Sequence, residues 1–422
     1  MQKNKATTKA VTFNIVLEVK MPEIKENFFE NILFKFHSYA CNCDIDVKHT
    51  IPGEEPEYNY KLTSLPNKPL LFGYAAKKGL VRIAPNGTIE ESNILGALMS
   101  LANKDDNALK KFFSENGFLF PILDNEYEDL NNSDVIFALK RLTITVELMT
   151  AANEIKKDFH KIITLTFSLL FSQDLEIKTN GMSTPYKSCH YKYADLVKNP
   201  PTQMTSERNY ERFYGKYFHV KDSIYGVFDY LTEDHACLMD NTDSIPGHRD
   251  DLYKNISFMY INYYGDGINK DITDFLFHFT RRITPISCDR EIGFYNDFTD
   301  SQLDSGMRES ILKIARYVIG EEINANLYGI HPIYDSEKMT PSWKVDSLLC
   351  AAYFSIFYLK PDLELYRPCD NPRCGKYFLV KTTSTRNRFC SQECCNRVTQ
   401  DRYRKRKREK ENSMHQKRTD TI

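Results

Sequence analysis

The spacing of apolar and polar residues predicts strands near the start of the chain. VTFNIVLEV, residues 11–19, alternates between apolar and polar side chains, which is typical of a strand. GLVRIAPNGTIEES, residues 79–92, has Asn86-Gly87 between two short apolar runs. Asn-Gly is favoured in two-residue hairpin turns, so this segment is predicted to form two strands joined by a tight turn.

Helical spacing of the apolar residues follows this hairpin. Asn116-Gly117 ends one such stretch, and glycine commonly follows the last residue of a helix. The stretch from residue 133 to residue 171 is long enough for two helices. Pro200-Pro201 interrupts any regular element, so residues 198–207 are predicted to form a linker. The predicted helices lie within residues 93–102, 107–117, 133–171, 309–327 and 343–359.

The composition is that of a folded chain whose charge is unevenly distributed. Hydrophobic residues make up 41% of the 422 residues and charged residues 27%, which is ordinary for a globular protein. The formal net charge is −1, but residues 366–422 carry 16 Lys and Arg against 6 Asp and Glu. That segment therefore has a net charge of +10, and residues 1–365 have a net charge of −11. A short basic end on an acidic body indicates a polyanionic partner.

Targeting signals and membrane spans are not expected. The N-terminal segment has no apolar core or cleavage site of a secretory signal. The most apolar run, residues 162–171, is about half the length that a bilayer requires. We therefore expect a cytoplasmic protein, or a nuclear one, without a membrane contact. Thiols stay reduced in either compartment, so clustered cysteines indicate a metal site rather than disulfides.

Five of the eleven cysteines lie between residues 369 and 395. Cys369 and Cys374 form one close pair, and Cys390 and Cys394 form a second pair after fifteen intervening residues. Two such pairs are typical of a structural zinc site, in which four thiolates surround one ion and leave no position for a catalytic water. Cys395 adjoins the second pair and is the alternative fourth ligand. One structural Zn²⁺ per chain is expected.

The residues around the cysteines predict a small zinc-dependent fold. Gly375 follows the second cysteine, where a tight turn favours a residue without Cβ. KYFLVK (376–381) and NRFCS (387–391) are predicted to pair as a hairpin. Ser391 is a predicted N-cap for a helix that begins at Gln392. Knuckle, hairpin and helix make a treble-clef-like finger. Four nearby cations would offset the charge of the thiolates: Arg373, Lys376, Arg386 and Arg388.

This end of the chain resembles the zinc fingers that are named for a Cys-Gly-Asn-Arg (CGNR) signature. The helices before the finger resemble the end of the ABATE-like helical domain that usually precedes it, and roughly the first 300 residues resemble no family. The resemblance implies DNA binding in a bacterial regulator of transcription. The chain departs from the signature at Cys395, which replaces its Gly, and the second cysteine pair is one residue closer than usual; the signature favours Cys394 as the fourth ligand. The matching residues are Cys369, Cys374, Gly375, Phe378, Arg388, Cys390, Ser391, Cys394 to Arg397, Tyr403 and Arg404.

The segment after the cysteines is predicted to be a solvated cationic helix. Val398 and Tyr403 are its only apolar residues between Cys395 and Met414, so it has little to bury. Arg397, Asp401 and Lys405 are spaced for ion pairs along one side. A cationic rod fits a nucleic-acid groove, with most contacts to phosphate. The predicted nucleic-acid contacts are Arg388, Arg397, Arg402, Arg404, Lys405, Arg406, Lys407 and Arg408.

Other groups of reactive residues give less specific patterns. His37, Cys41, Cys43, Asp44 and His49 could contribute to a second metal site, although their spacing matches no standard one. Residues 189–190 and 233–237 place Cys beside His, but catalytic partners usually come from distant segments. The sequence contains no phosphate-binding glycine loop or hydrolase motif, so no catalytic residue is predicted.

The sequence thus predicts an α+β fold, with a mainly helical body and a C-terminal four-cysteine finger. Its function is predicted to be nucleic-acid binding, most simply of DNA, through the basic helix. Two alternatives remain: a scaffold whose zinc is purely structural, with a protein partner for the acidic body, and an enzyme with an unrecognised N-terminal catalytic domain. The predicted regions are α+β for 1–130, helical for 131–200, mostly helical for 201–365, finger and basic helix for 366–412, and a disordered tail for 413–422.

Overall fold

The computed structural model describes fourteen segments of the chain. The predicted strand at 11–19, the linker at 198–207 and the Cys-His pairs at 189–190 and 233–237 lie outside them. Backbone alone is described for residues 58, 91, 130–132, 176–179, 182–186 and 410–419. The segments are residues 32–47, 58–75, 78–91, 93–102, 104–120, 130–172, 175–179, 182–186, 224–225, 267–279, 300–336, 339–361, 363–382 and 387–419.

A five-stranded antiparallel sheet forms one layer of the body. Its order is β1-β2-β3-β4, and β5 pairs with the far end of β2. β1 and β2 are 16 and 18 residues long and pair along almost their whole length. The strands are β1 (Ile32–Val47), β2 (Tyr58–Ala75), β3 (Gly79–Ile83), β4 (Ile89–Glu91) and β5 (Leu130–Asn131).

The hairpin predicted around Asn86-Gly87 is confirmed, since β3 pairs with β4 across it. The Asn86 side chain accepts hydrogen bonds from both the backbone N–H and the hydroxyl of Thr88, at 3.0 and 2.7 Å. Gly87 has a φ of 84°, in the left-handed region where glycine pays no steric cost. The dipeptide therefore acts through the turn chemistry that its sequence indicates.

Eight helices and three further strand pairs are present in the described part of the chain. The helices are α1 (Ile94–Leu101), α2 (Asp106–Asn116), α3 (Asn132–Asn153), α4 (Phe159–Leu170), α5 (Ile268–Phe279), α6 (Ser305–Ala325), α7 (Leu348–Phe357) and α8 (Gln392–Thr419). The strand pairs are β6 (Leu175–Thr179) with β7 (Met182–Tyr186), β8 (Ile330–Asp335) with β9 (Thr340–Val345), and β10 (Glu364–Pro368) with β11 (Tyr377–Lys381). The expected α+β class is confirmed.

One predicted helix begins later than its apolar spacing indicates. Residues 343–345 end β9, and α7 starts only at Leu348. The Ser347 hydroxyl accepts a hydrogen bond from the backbone N–H of Cys350 at 3.1 Å and so caps the helix. Trp343 instead packs its ring against Phe354 of α7, with 5.3 Å between the ring centroids. A helical stretch was predicted here because the apolar residues of β9 merge with those of α7.

The last helix is longer than the sequence predicts. A disordered tail is predicted from residue 413, but α8 continues to Thr419. Lys, Arg, Glu and Gln dominate its C-terminal half, and all four have high helix propensity. Local backbone preference therefore favours the additional turns.

A single large core joins the sheet to the helices from α1 to α7, and a buried ion pair lies within it. The Arg141 guanidinium of α3 contacts both carboxylate oxygens of Glu322 in α6, at 2.6 and 2.8 Å. Neither side chain is more than 1% exposed. The hydroxyl of Tyr353 in α7 also donates to Glu322, at 3.0 Å. This carboxylate therefore ties three helices together.

Replacing Arg141 with Ala should destabilise the protein by about 3–5 kcal/mol, because Glu322 would then be a buried charge without its cation. Chemical denaturation of the purified variant measures the free energy of unfolding. The double variant Arg141→Met/Glu322→Leu removes both charges and should lose much less. Equal losses in the single and double variants would contradict this account of the pair.

Candidate metal centre

The first cysteine pair lies at the end of a two-stranded hairpin. β10 and β11 pair from Glu364↔Lys381 to Pro368↔Tyr377, and Cys369 continues the ladder by donating its N–H to the Lys376 carbonyl at 2.9 Å. The chain between them turns tightly, with Cys374 N–H donating to the Asn371 carbonyl at 2.8 Å. Gly375 has a φ of 61°, as the predicted turn requires. We call residues 369–376 the first knuckle.

The strand partner of β11 differs from the prediction. KYFLVK was expected to pair with NRFCS, but it pairs with residues 364–368, which precede the knuckle. Leu365 lies opposite Val380 in this register, and both side chains are buried. The Asn387–Ser391 segment has no comparable apolar pair to offer. Burial of an apolar cross-strand pair thus accounts for the choice of partner.

The second cysteine pair approaches the knuckle from the start of α8. Asp370 N–H donates to the Arg388 carbonyl at 2.9 Å, and the two side chains of these residues also form an ion pair. Ser391 caps α8 as predicted, because its hydroxyl accepts from the N–H of Cys394 at 3.3 Å. The helix cap therefore places Cys394 in the first turn, facing the knuckle.

Four thiols converge between these two pieces of chain. The sulfur atoms of Cys369, Cys374, Cys390 and Cys394 all lie within 4.8 Å of one another. Sγ of Cys390 is 3.6 Å from that of Cys374 and 3.7 Å from that of Cys394. A tetrahedral site with Zn–S bonds of about 2.3 Å has sulfur atoms about 3.8 Å apart, so the donor set fits one zinc ion. Cys395, the alternative ligand, is half-buried and is not among the four converging thiols.

The protonation of these thiols differs from one to the next. Burial raises the pKa of Cys374, and it raises the pKa of Cys390 to about 12. Hydrogen bonds from Asn371 and Ser391 lower the pKa of Cys394 to about 6. Zinc binds the thiolate form and displaces the remaining protons, so its affinity decreases as the pH falls.

The finger is joined to the body through Tyr377, the first residue of β11. Its backbone N–H donates to the Ser100 hydroxyl of α1 at 3.0 Å, and its carbonyl accepts from the Asn93 side chain at 2.8 Å. Its own hydroxyl donates to the carboxylate of Glu147 in α3. Asn93 has a φ of 67° and also caps α1 by accepting from the N–H of Gly96. The start of β11 is therefore anchored to α1 and α3 of the body.

β10 strengthens the same junction. Tyr366 is buried in the core, and its carbonyl accepts from the Thr150 hydroxyl of α3 at 3.3 Å. Arg367 pairs with Glu154, the residue after the end of α3, at 3.1 Å. Neither contact could be predicted from the sequence, because the partners lie more than two hundred positions apart.

The predicted nucleic-acid contacts lie on an exposed surface. From Arg397 to Glu409 every side chain of α8 is exposed except Val398, which is half-buried. Arg388 is also exposed and pairs with Asp370. The ion pairs of Asp401 are with Arg373 of the knuckle at 3.7 Å and Arg404 at 3.9 Å, and not with the predicted partners Arg397 and Lys405. From Arg397 to Glu409 the cationic helix thus presents its basic side chains to solvent.

The described members of the second group of potential metal ligands do not form a metal cluster. His37, Cys41 and Cys43 lie on β1, and His49 falls outside the described residues. Cys41 donates to the Phe113 carbonyl at 2.9 Å, and burial raises the pKa of Cys41 and of Cys43 to about 12. These thiols behave as core residues. Among the described residues, only the four-cysteine group brings three or more metal ligands together.

The zinc-site geometry and the signature residues agree with a known family. Residues 366–407 match the family model of the CGNR zinc finger. The match begins at Tyr366 in the middle of β10 and ends at Lys407, slightly past the middle of α8. No curated protein and no solved structure matches the chain.

No helix in the described segments combines the length and the apolar character needed to cross a membrane.

Cys394→Ser should abolish stoichiometric zinc binding by the CGNR finger, since its thiol is one of the four converging donors. Cys395→Ser is the matched control and should retain about one zinc per chain. Elemental analysis of the purified variants gives the stoichiometry. Loss of zinc from the Cys395 variant with retention in the Cys394 variant would reverse the assignment.

Gly96→Ala should destabilise the junction between the CGNR finger and the body. A Cβ at this position would lie 2.5 Å from the Tyr377 carbonyl oxygen, so α1 and β11 would have to separate. We expect a loss of about 1–3 kcal/mol in the free energy of unfolding. Gly320→Ala in α6 is the control, because its added Cβ would have no atom within 4 Å beyond the adjacent backbone of its own helix. It should stabilise the protein by up to about 1 kcal/mol, and a loss of similar size in both variants would refute the steric explanation.

Proposed function

We propose that the protein binds duplex DNA through α8 and that the zinc centre is a structural support for this helix. The observation that carries the proposal is the exposure of the basic side chains along α8, directly after the four-cysteine site. The metal ligands of the proposal are Cys369, Cys374, Cys390 and Cys394.

The charge of α8 suits a phosphate backbone. Its residues from Arg397 to Arg408 include seven Lys and Arg and one acid, Asp401. The cations occupy all sides of the helix, so they can meet phosphates on both walls of a groove. At 1.5 Å per residue, the 28 residues of α8 extend for about 42 Å. The exposed residues up to Glu409 cover enough length for several phosphate contacts.

The zinc centre would fix where this rod begins. Cys390 and Cys394 hold the chain on both sides of the Ser391 cap, and Cys369 and Cys374 belong to the hairpin that is rooted in the core. A bound zinc would therefore join the first turn of α8 to the body. A helix with a fixed base binds with a smaller loss of conformational freedom than a free tail does.

An intramolecular role for the basic charges receives less support. A tail that neutralised its own acidic body would bury its cations against Asp and Glu of that body, but the described Lys and Arg side chains of α8 are exposed. Arg388 and Arg373 pair with Asp370 and Asp401, which belong to the finger and α8 themselves. Most of the positive charge of α8 therefore faces solvent, where a partner can reach it.

We propose that this DNA binding serves to control transcription and that the protein acts in the cytoplasm. Recognition of a particular DNA sequence would need contacts to base edges, and α8 carries arginines, which are the side chains that most often read guanine. Selection of bound sequences from a random duplex pool tests this finer part. Enrichment of a common motif is the expected result, and an unenriched pool would limit the protein to nonspecific binding.

The variant Arg404→Gln/Lys405→Gln/Arg406→Gln/Arg408→Gln should bind duplex DNA more weakly and with a lower salt dependence. The slope of log K against log salt concentration is negative, and its magnitude decreases by about 0.9 for each phosphate that is no longer neutralised. The magnitude of the slope should therefore decrease by about 2–4. Fluorescence anisotropy with a labelled duplex over a salt series measures both quantities.

The control variant removes four exposed lysines from the body: Lys78, Lys111, Lys140 and Lys156. It changes the net charge of the protein by the same amount and should leave the slope unchanged. Substitution is preferable to truncation before the finger, because Tyr366 and Tyr377 belong to the core. Equal affinity and slope in all three proteins would eliminate α8 as the DNA-binding element.

A further inference from the structure

The first knuckle lies beside α8 and contributes its own cations. Nη2 of Arg373 is 3.7 Å from Oδ2 of Asp401, and the Arg373 side chain is 81% exposed. Lys376, at the end of the knuckle, is also exposed. The positive surface of α8 therefore continues onto the finger loop.

The body extends this surface further. Lys104 lies between α1 and α2 and is exposed. Its Nζ is 3.7 Å from the position that a Cβ of Gly375 would occupy, which places the ammonium group directly against the knuckle. The acidic body thus presents a cation at the point where it meets the finger, and the charges run from α8 through Arg373 and Lys376 to Lys104.

We infer that the DNA-binding surface is composite, with Arg373, Lys376 and Lys104 holding the phosphate backbone at the base of α8, and that Asp401 restrains Arg373 and Arg404 when DNA is absent. The inference rests on the proposed function and adds the finger loop and the body to its site. The partner is duplex DNA, whose phosphates continue past the groove in which α8 would lie.

Asp401 occupies the position from which it can compete with phosphate. It is the only acidic residue of the sequence between Glu393 and Glu409. Its two carboxylate oxygens face one arginine from the knuckle and one from α8, at 3.7 and 3.9 Å. Both pairs are long and exposed, so they add little to stability. DNA can therefore exchange Asp401 for phosphate at both arginines at little cost.

The other role for the knuckle cations is to offset the charge of the thiolates. Four thiolates and one zinc ion carry a net charge of −2, and Arg373 and Lys376 each lie next to or near a ligand in sequence. Zinc content separates the two roles, because a cation that serves the metal affects its retention, whereas one that serves DNA affects only the salt dependence of DNA binding.

Asp401→Asn is the most direct test. Removing its charge should tighten binding to a labelled duplex about two- to fivefold at moderate salt. The magnitude of the salt slope should increase by about 1, because the released arginine would then contact a phosphate. Glu409→Gln is the matched control on the same helix, since it also removes one negative charge. A gain in the control as large as that in the Asp401 variant would show a general charge effect and overturn the restraint.

Arg373→Gln/Lys376→Gln and, separately, Lys104→Gln test the extended surface. Each should retain about one zinc per chain and lower the salt slope by about 1 for each phosphate that the variant no longer binds. An unchanged slope with retained zinc would overturn the composite surface. If the double variant loses zinc, the knuckle cations serve the metal, and the Lys104 variant then decides whether the surface reaches the body.

These results can be told apart from failure of the proposed function. If the α8 variant loses DNA binding and the knuckle and Lys104 variants do not, DNA binding stands and the composite surface falls. If the α8 variant binds as well as the unmodified protein, both fall together. Preference for single-stranded DNA or RNA over the duplex would also overturn the inference.

Discussion

The backbone of Tyr377 is the constraint on which the rest of the C-terminal end depends. Its N–H donates to Ser100 in the last turn of α1, and its carbonyl accepts from Asn93, which caps the start of that helix. This contact requires Gly96, whose missing side chain lets the strand approach the helix. The position of β11 sets the register of β10, and the hairpin in turn sets the position of Cys369 and Cys374. The location of the metal centre is thus set by α1, which lies more than 250 residues earlier in the sequence.

The finger and the body consequently form one folding unit. A zinc-finger peptide takes its whole folding energy from the metal, about 10–16 kcal/mol near neutral pH. Here the hairpin already buries Leu365, Tyr366 and Val380 and has backbone partners in the body. Zinc has less left to organise: chiefly the second cysteine pair and the first turn of α8. Its main mechanical effect is therefore on the direction of α8.

The sequence predicts local features well and long-range ones poorly. Cysteine spacing, the Asn86-Gly87 turn and the Ser391 cap are recognisable because each depends on residues a few positions apart. The pairing of β10 with β11 was missed because the choice between two strand partners depends on burial, which spacing does not contain. The contacts of Tyr377 with Ser100 and Asn93 could not be predicted for a stronger reason. The entropic cost of closing a loop changes very little between one long separation and another, so it does not favour these partners over others. Only the packing of the folded core selects them.

The uneven charge distribution restricts where on the molecule a polyanion can bind. The body has a net charge of −11 and would repel a polyanion, so a nucleic acid can approach closely only where cations outnumber acids. At a Debye length of about 8 Å, the repulsion from the body is screened over most of the 42 Å or so of α8 but not at its base. The base is therefore where compensation matters most, and it is there that Lys104 faces the knuckle and Arg373 faces α8. A duplex could therefore approach only from the side of α8. The start of that helix is held by the finger, the cations at its base attract phosphates, and the acidic body repels them.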